Sequence, residues 1–239
     1  MQKKRFAFGI FLLMLWIGLG VFGHFKSHKR VYSSVAVNFS ESPVFLEDSL
    51  VNKLLIQNLD KQIKEGNSGV DLNMLESIIE EIPYVETAEI YPLSPRGLAL
   101  QVDERVAILR VFGTENYYVD AGLSRFPAKS NYSVAVPVFY GNPDQDQLEA
   151  ARRILQAINN IPRLSGRLSS LYLSDDNSYV LEIQGLPFEV DLGKSTRLRQ
   201  KCKKIVLFED FQQQVKDSLL YEQIHLDYTN QIVAIPVSS

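Results

Sequence analysis

Residues Phe6 to Phe25 form an apolar run without Asp, Glu, Lys or Arg, in which only His24 can ionise. A helix of about twenty residues spans about 30 Å, the hydrocarbon thickness of a bilayer. The run therefore predicts a single transmembrane helix over 6–25, behind a tail of residues 1–5. A cleaved signal peptide is the competing reading, but it calls for a shorter apolar core and a small-x-small cleavage site. The glycines at 18, 20 and 23 substitute poorly for Ala-x-Ala, so the expectation is an uncleaved anchor. Gly18 and Gly20 do not make the four-residue repeat of a dimerising span. Lys3, Lys4 and Arg5 precede the run and Lys26, Lys29 and Arg30 follow it, a tie under the positive-inside rule. The short tail leaves the bulk of the chain on one side.

The remainder has the means to fold. Apolar residues make up 46% of the 239 and charged residues 22%, enough for a buried core. A net charge of -3 supplies no basic footprint for nucleic acid. The lone Cys202 cannot form an internal disulfide, and no Cys/His spacing suits zinc. It lies in a helical pattern between Leu198 and Ile205 and reads as a small buried hydrophobe.

Residues 31–39 alternate as a strand, through Val31, Ser33, Val35, Val37 and Phe39, and Ser42-Pro43 breaks it. A helix follows, with Leu50, Leu54 and Leu55 at helical spacing and Asp48 as its candidate cap. Lys64 to Gly69 is a polar loop. Asp71 can cap a second helix carrying Leu72, Leu75, Ile79 and Ile82, which Pro83 stops. Strands at 84–91 and 97–104 complete a strand-helix-helix-strand-strand order, a small α+β layer. Beyond Glu104 short strands predominate, at 106–112, 116–120, 134–140, 168–174, 178–184 and 186–192. Two helices interrupt them, one lined by Leu148, Ala151, Leu155 and Ile158, the other by Leu198, Cys202, Ile205 and Val206. A final strand pair or long strand covers about 222–236.

Catalytic constellations are missing from this pattern. His24 and His28 border the apolar run, and His225 alone makes no metal site. Neither a Gly-x-Ser-x-Gly elbow nor a phosphate-binding Gly-rich loop occurs. Asp103 and Glu104 are adjacent in a strand and point to opposite faces, so they do not converge for acid–base work. Arg197, Arg199, Lys201, Lys203 and Lys204 make one helix basic, read as a solvated outer face, with attraction to anionic lipid as the alternative.

Several segments, in order, resemble the bacterial cell-division family FtsQ/DivIB. They are Pro83-Tyr-Val-Glu-Thr-Ala-Glu-Ile90, Leu98 to Ile108 with its Glu104-Arg105, and Tyr118-Val-Asp-Ala-Gly-Leu-Ser-Arg-Phe126. Val136-Pro-Val-Phe-Tyr-Gly141, Val190-Asp-Leu-Gly193 and Ile224-His-Leu-Asp-Tyr228 continue the series. This chain departs from the family pattern in three places. Val106 directly precedes Ala107, where the family inserts a proline. Asp227 stands where a basic residue is frequent, and Asp210 to Gln223 has no counterpart. The resemblance implies an α+β architecture: one transmembrane helix, a POTRA domain at 31–104, and at 105–239 an antiparallel β-sheet domain with two packed helices. It implies a non-catalytic divisome scaffold in the inner membrane at the division septum, with its carboxy-terminal part periplasmic. FtsB- and FtsL-like proteins are the implied partners, with no cofactor, small-molecule substrate or nucleic acid. A partner segment is expected to add to the last strand, which makes Tyr228, Ile232, Val233, Ala234 and Ile235 the candidate binding residues. A POTRA-bearing polypeptide-transport or outer-membrane-assembly factor is the alternative.

Overall fold

The computed structural model describes residues 34–64, 70–94, 97–128, 133–214 and 221–237. The expected tail at 1–5, the expected span at 6–25, His24, His28 and most of the 64–69 loop lie outside these residues. Among the described residues, no helix is long and apolar enough to cross a membrane. The chain divides into two compact units, Met1–Arg105 and Val106–Ser239.

The first unit runs β1 (Ser34–Phe39), α1 (Asp48–Lys64), α2 (Leu72–Glu80), β2 (Val85–Ser94) and β3 (Gly97–Glu104). Its three-stranded sheet has the order β1-β3-β2, with β1 parallel and β2 antiparallel to β3. Two details of α1 differ from the sequence reading. Asp48 is its first residue rather than its cap, and the Glu47 carbonyl accepts from the Leu50 and Val51 amides. The buried face is Val51, Leu55, Leu59 and Gln62, while Leu50 is 44% exposed. That face is one residue out of phase with Leu50 and carries Gln62 inward together with Val51, Leu55 and Leu59. The Gln62 side-chain amide donates to the Asp71 carbonyl (3.3 Å) and accepts from the Asp71 amide (2.8 Å), tying α1 to the start of α2. Asp71 caps α2 as expected, through the Met74 amide at 3.1 Å.

A second helix contact closes the β2 edge. Glu76 accepts from the Ile90 amide (2.6 Å) and Glu80 from the Ala88 amide (3.2 Å). Four residues of helix rise about 6 Å and two of strand about 6.7 Å, so carboxylates spaced i, i+4 match alternate strand amides. The amides that a β2 neighbour would use at these positions are already occupied.

The second unit contains β4 (Ala107–Phe112), β5 (Asn116–Asp120), β6 (Arg125–Pro127), β7 (Val138–Tyr140), α3 (Gln145–Asn159), β8 (Leu168–Leu173), β9 (Tyr179–Ile183), β10 (Glu189–Gly193), α4 (Leu198–Gln214), β11 (Tyr221–His225) and β12 (Val233–Pro236). They form a nine-stranded sheet of order β12-β11-β10-β9-β8-β7-β4-β5-β6. This sheet is mixed, which corrects the antiparallel expectation. β4 and β7, β7 and β8, and β10 and β11 are parallel pairs. Parallel neighbours need a long crossover, usually a helix. The two interrupting helices are such crossovers, α3 between β7 and β8 and α4 between β10 and β11.

Both helices share one core with the inner sheet face, including Leu109, Val111, Phe139, Leu181, Val190 and Ile224. Asp144 and Gln147 form a capping box that starts α3. Cys202 and Ile205 lie on the buried face of α4 together with Phe208, while Val206 is only partly buried. Burial pushes the Cys202 thiol up to about 11, which keeps it protonated as a core side chain. The strand expected at 134–140 is reduced to Val138–Tyr140, and the one at 186–192 to Glu189–Gly193. Of the stretch Asp210 to Gln223, the described residues belong to α4, up to Gln214, and to β11, from Tyr221. Asp210 receives Arg163 at 2.6 Å, Glu209 receives Arg163 and Arg167 at 2.8 and 3.0 Å, and α4 continues to Gln214.

Candidate functional site

β12 is an edge strand. It pairs antiparallel with β11 in the register Ile224↔Ala234 and His225↔Val233, and among the described residues no strand lies on its other side. Strand alternation divides the candidate residues. Ala234, and Ile232 just before the strand, turn towards the core and are partly buried. Val233 and Ile235 turn outward, 37% and 40% exposed, with Val237 at 50% continuing the stripe. Tyr228 is 53% exposed in the turn between β11 and β12.

That turn is held by α4 and by Arg197, the residue just before it. Lys201, buried at 2%, donates its ammonium to the Leu192 carbonyl, the Lys194 carbonyl (2.9 Å) and Asp227 Oδ1 (3.0 Å). Arg197 donates to the Asp227 carbonyl (2.8 Å) and the Thr229 hydroxyl (2.6 Å). Lys204 donates to the Tyr228 carbonyl and to the Gln231 carbonyl (3.1 Å). Lys201 and Lys204 lie on one face of α4, and Arg197 immediately precedes the helix with φ +53°. The solvated-face reading of these five cations is therefore corrected for Lys201, which is buried, and Lys204, which is half-buried, while Arg197, Arg199 and Lys203 are exposed; Arg197, Lys201 and Lys204 bind the 227–231 turn. Asp227 is the carboxylate that answers Lys201. The Lys201 hydrogen bond holds its carboxyl below the usual range, with the Lys201 and Arg197 charges acting the same way against desolvation. Gly193 has φ +63°, and a Cβ there would meet the Asp227 carboxylate at 2.5 Å, so glycine is required for this approach.

A groove of about 450 Å³ adjoins the outer side of β12. Tyr228, Val233 and Ile235 line one side of it; Asp176, Ser178, Asp191, Gly193, His225 and Asp227 also border it. Parallel pairing sets Asp191 beside His225, and Nδ1 of the imidazole lies 2.6 Å from Asp191 Oδ2. Asp191 also accepts from the Gly193 amide at 2.7 Å. The Ser178 hydroxyl donates to Asp176 at 3.1 Å, a bond within the β8–β9 turn. Among the described residues, no three His, Cys, Asp or Glu groups converge to hold a metal ion. The Asp103–Glu104 pair of the first unit is also engaged locally. Asp103 accepts from Ser40 and Thr87, and Glu104 from the amides of Val44, Phe45 and Leu46.

The arrangement presents backbone groups and apolar side chains at a sheet edge, which suits recognition of an extended polypeptide. The sequence signalled Tyr228 and the terminal apolar strand. It missed Lys201 and Arg197 as supports of the turn, although their spacing with Lys204 was visible. A family model described as FtsQ/DivIB, C-terminal related matches residues 107–235, from the start of β4 into β12. No curated protein matches the chain.

Proposed function

Because the chain belongs to the FtsQ/DivIB family of division proteins, we propose that it is a bitopic divisome scaffold that binds FtsB- and FtsL-like proteins by strand addition at β12. The observation that carries this reading is the family match extending into an apolar-faced sheet edge that no other strand of the described residues covers. A docked segment would pair its backbone with β12 and set its side chains against Val233, Ile235 and Tyr228. The apolar run at 6–25 supports a membrane anchor, and family membership supports a septal, periplasmic placement of the rest. The strand-helix-helix-strand-strand order of the first unit supports its reading as a POTRA domain. No observation favours the transport-factor alternative.

The test is a pull-down of the full-length chain with the FtsB- and FtsL-type ectodomains of the same organism, comparing wild type with Tyr228→Lys and Ile235→Lys. Either substitution places a charge on the apolar stripe and is expected to weaken capture at least about tenfold. Binding that survives both changes would move the site away from β12. A folded wild-type chain that captures neither partner would overturn the scaffold reading.

A further inference from the structure

The groove beside β12 has two chemical sides. Tyr228, Val233 and Ile235 supply apolar surface, while Asp176, Asp191 and Asp227 supply carboxylates. The carboxylates are not equally compensated. Asp227 is paired with Lys201. Asp176 is bound by the Ser174 and Ser178 hydroxyls and the Ser178 amide, and Asp191 by His225 and the Gly193 amide. Among the described residues, no lysine or arginine pairs with Asp176 or Asp191. The negative field extends along the outer sheet face. Tyr172 on β8 is pushed up to about 12, by burial first, then by its hydrogen bond to Glu189 and the charges of Glu189, Glu182 and Asp191.

We propose that this groove receives a lysine or arginine side chain from the polypeptide that docks on β12. The inference rests on the strand-addition reading above and names the chemistry of the partner at that site. A bare metal ion is a poor match, because the ligating groups do not converge. A long cationic side chain matches both sides of the groove. Its methylenes lie along Val233 and Ile235, and its head reaches Asp191 and Asp176. The exposed Tyr228 ring adds a face on which a guanidinium or ammonium can rest. An acidic residue at the same partner position would meet the carboxylates and be rejected, so the groove also sets register and selectivity.

The test is a double-mutant cycle on the full-length chain with the FtsB-type ectodomain as probe, measured by titration at several salt concentrations. Asp176→Asn with Asp191→Asn removes charge at nearly constant shape, with one acceptor oxygen at each position replaced by an NH₂ donor. Affinity is expected to fall about five- to tenfold at low salt, with a flatter salt dependence. Each lysine and arginine of the probe is then changed to Gln. One such change should weaken the wild-type complex by the same factor and leave the double variant unaffected. If the double variant does not fold, Asp176→Asn alone, on an exposed turn, carries the comparison. Wild-type affinity and salt slope in the folded variants, with Tyr228→Lys still abolishing capture, would overturn the groove proposal and leave the strand reading standing. Failure of the wild-type chain to bind would remove both.

Discussion

Lys201→Met is expected to loosen the carboxy-terminal hairpin and lower the stability of the second unit by about 2–4 kcal/mol. The Lys201 side chain is 2% exposed, and its ammonium serves the Leu192 and Lys194 carbonyls and the Asp227 carboxylate. Methionine fills the space of the stem but leaves two carbonyls without their donor. Asp227 contributes less to the loss, because its side chain is 57% exposed and regains water. A fall in Tm of about 10 °C and faster amide exchange over 227–231 are the expected readouts. An unchanged melt would show that the turn is held by Arg197 and Lys204 without this contact.

The same contact has a defined pH dependence. The Asp227 carboxyl is held below its ordinary value of 3.8, mainly by the Lys201 hydrogen bond. A depressed carboxylate contributes stability above its unfolded value and loses it as pH falls through the folded one. The wild-type chain should therefore lose part of its hairpin stability only as pH drops below 3.8. Asp227→Asn should flatten that acid limb of a melting-temperature profile. Equal acid limbs for the two proteins would remove Asp227 from the linkage.

Glu104→Ala is expected to give the largest loss in the first unit, about 2–4 kcal/mol. One carboxylate gathers three successive amides, Val44 at 2.6 Å and Phe45 and Leu46 at 2.7 Å. These amides precede α1, and the Phe45 and Leu46 side chains are buried. Alanine leaves the segment without an acceptor, so both side chains lose their anchoring. Glu104→Gln separates charge from shape. Its amide oxygen can still accept from Phe45 and Leu46, but its NH₂ then faces the Val44 amide, donor against donor. The glutamine protein should fall between wild type and alanine in a denaturant titration. Alanine matching wild type would mean that water replaces the carboxylate at no net loss.

These two residues were legible to different degrees. Glu104 was read as a strand carboxylate that does not converge with Asp103, and the structure agrees while giving it a local anchoring role. Lys201 was visible only as one of five helix cations, and its burial depends on Asp227, 26 residues away. Leu50 shows the same limit. Its helical spacing suited a core position, but the face that packs on the sheet is that of Val51, Leu55, Leu59 and Gln62, which leaves Leu50 outside. The candidate residues divide similarly. A terminal apolar strand was readable from 232–235, whereas the outward turn of Val233 and Ile235 follows from their pairing with β11.

By itself the sequence determined the features governed by neighbours in the chain. These are the apolar run, the breaks at Pro83 and the Gly/Asn/Asp turns, the capping Asp71, the two apolar helix faces of the second unit and the family pattern. Tertiary structure alone decided the order and direction of the strands. It made the second sheet mixed, because α3 and α4 return the chain to parallel neighbours. It also brought Asp191 beside His225, set Lys201 under the 227–231 turn, and placed β12 at the sheet edge among the described residues. Local patterns are carried by steric and hydrophobic preferences that act within a few residues. Pairings across the sheet depend on which distant segments bury their surfaces together, and a periodicity of two or 3.6 does not encode that choice.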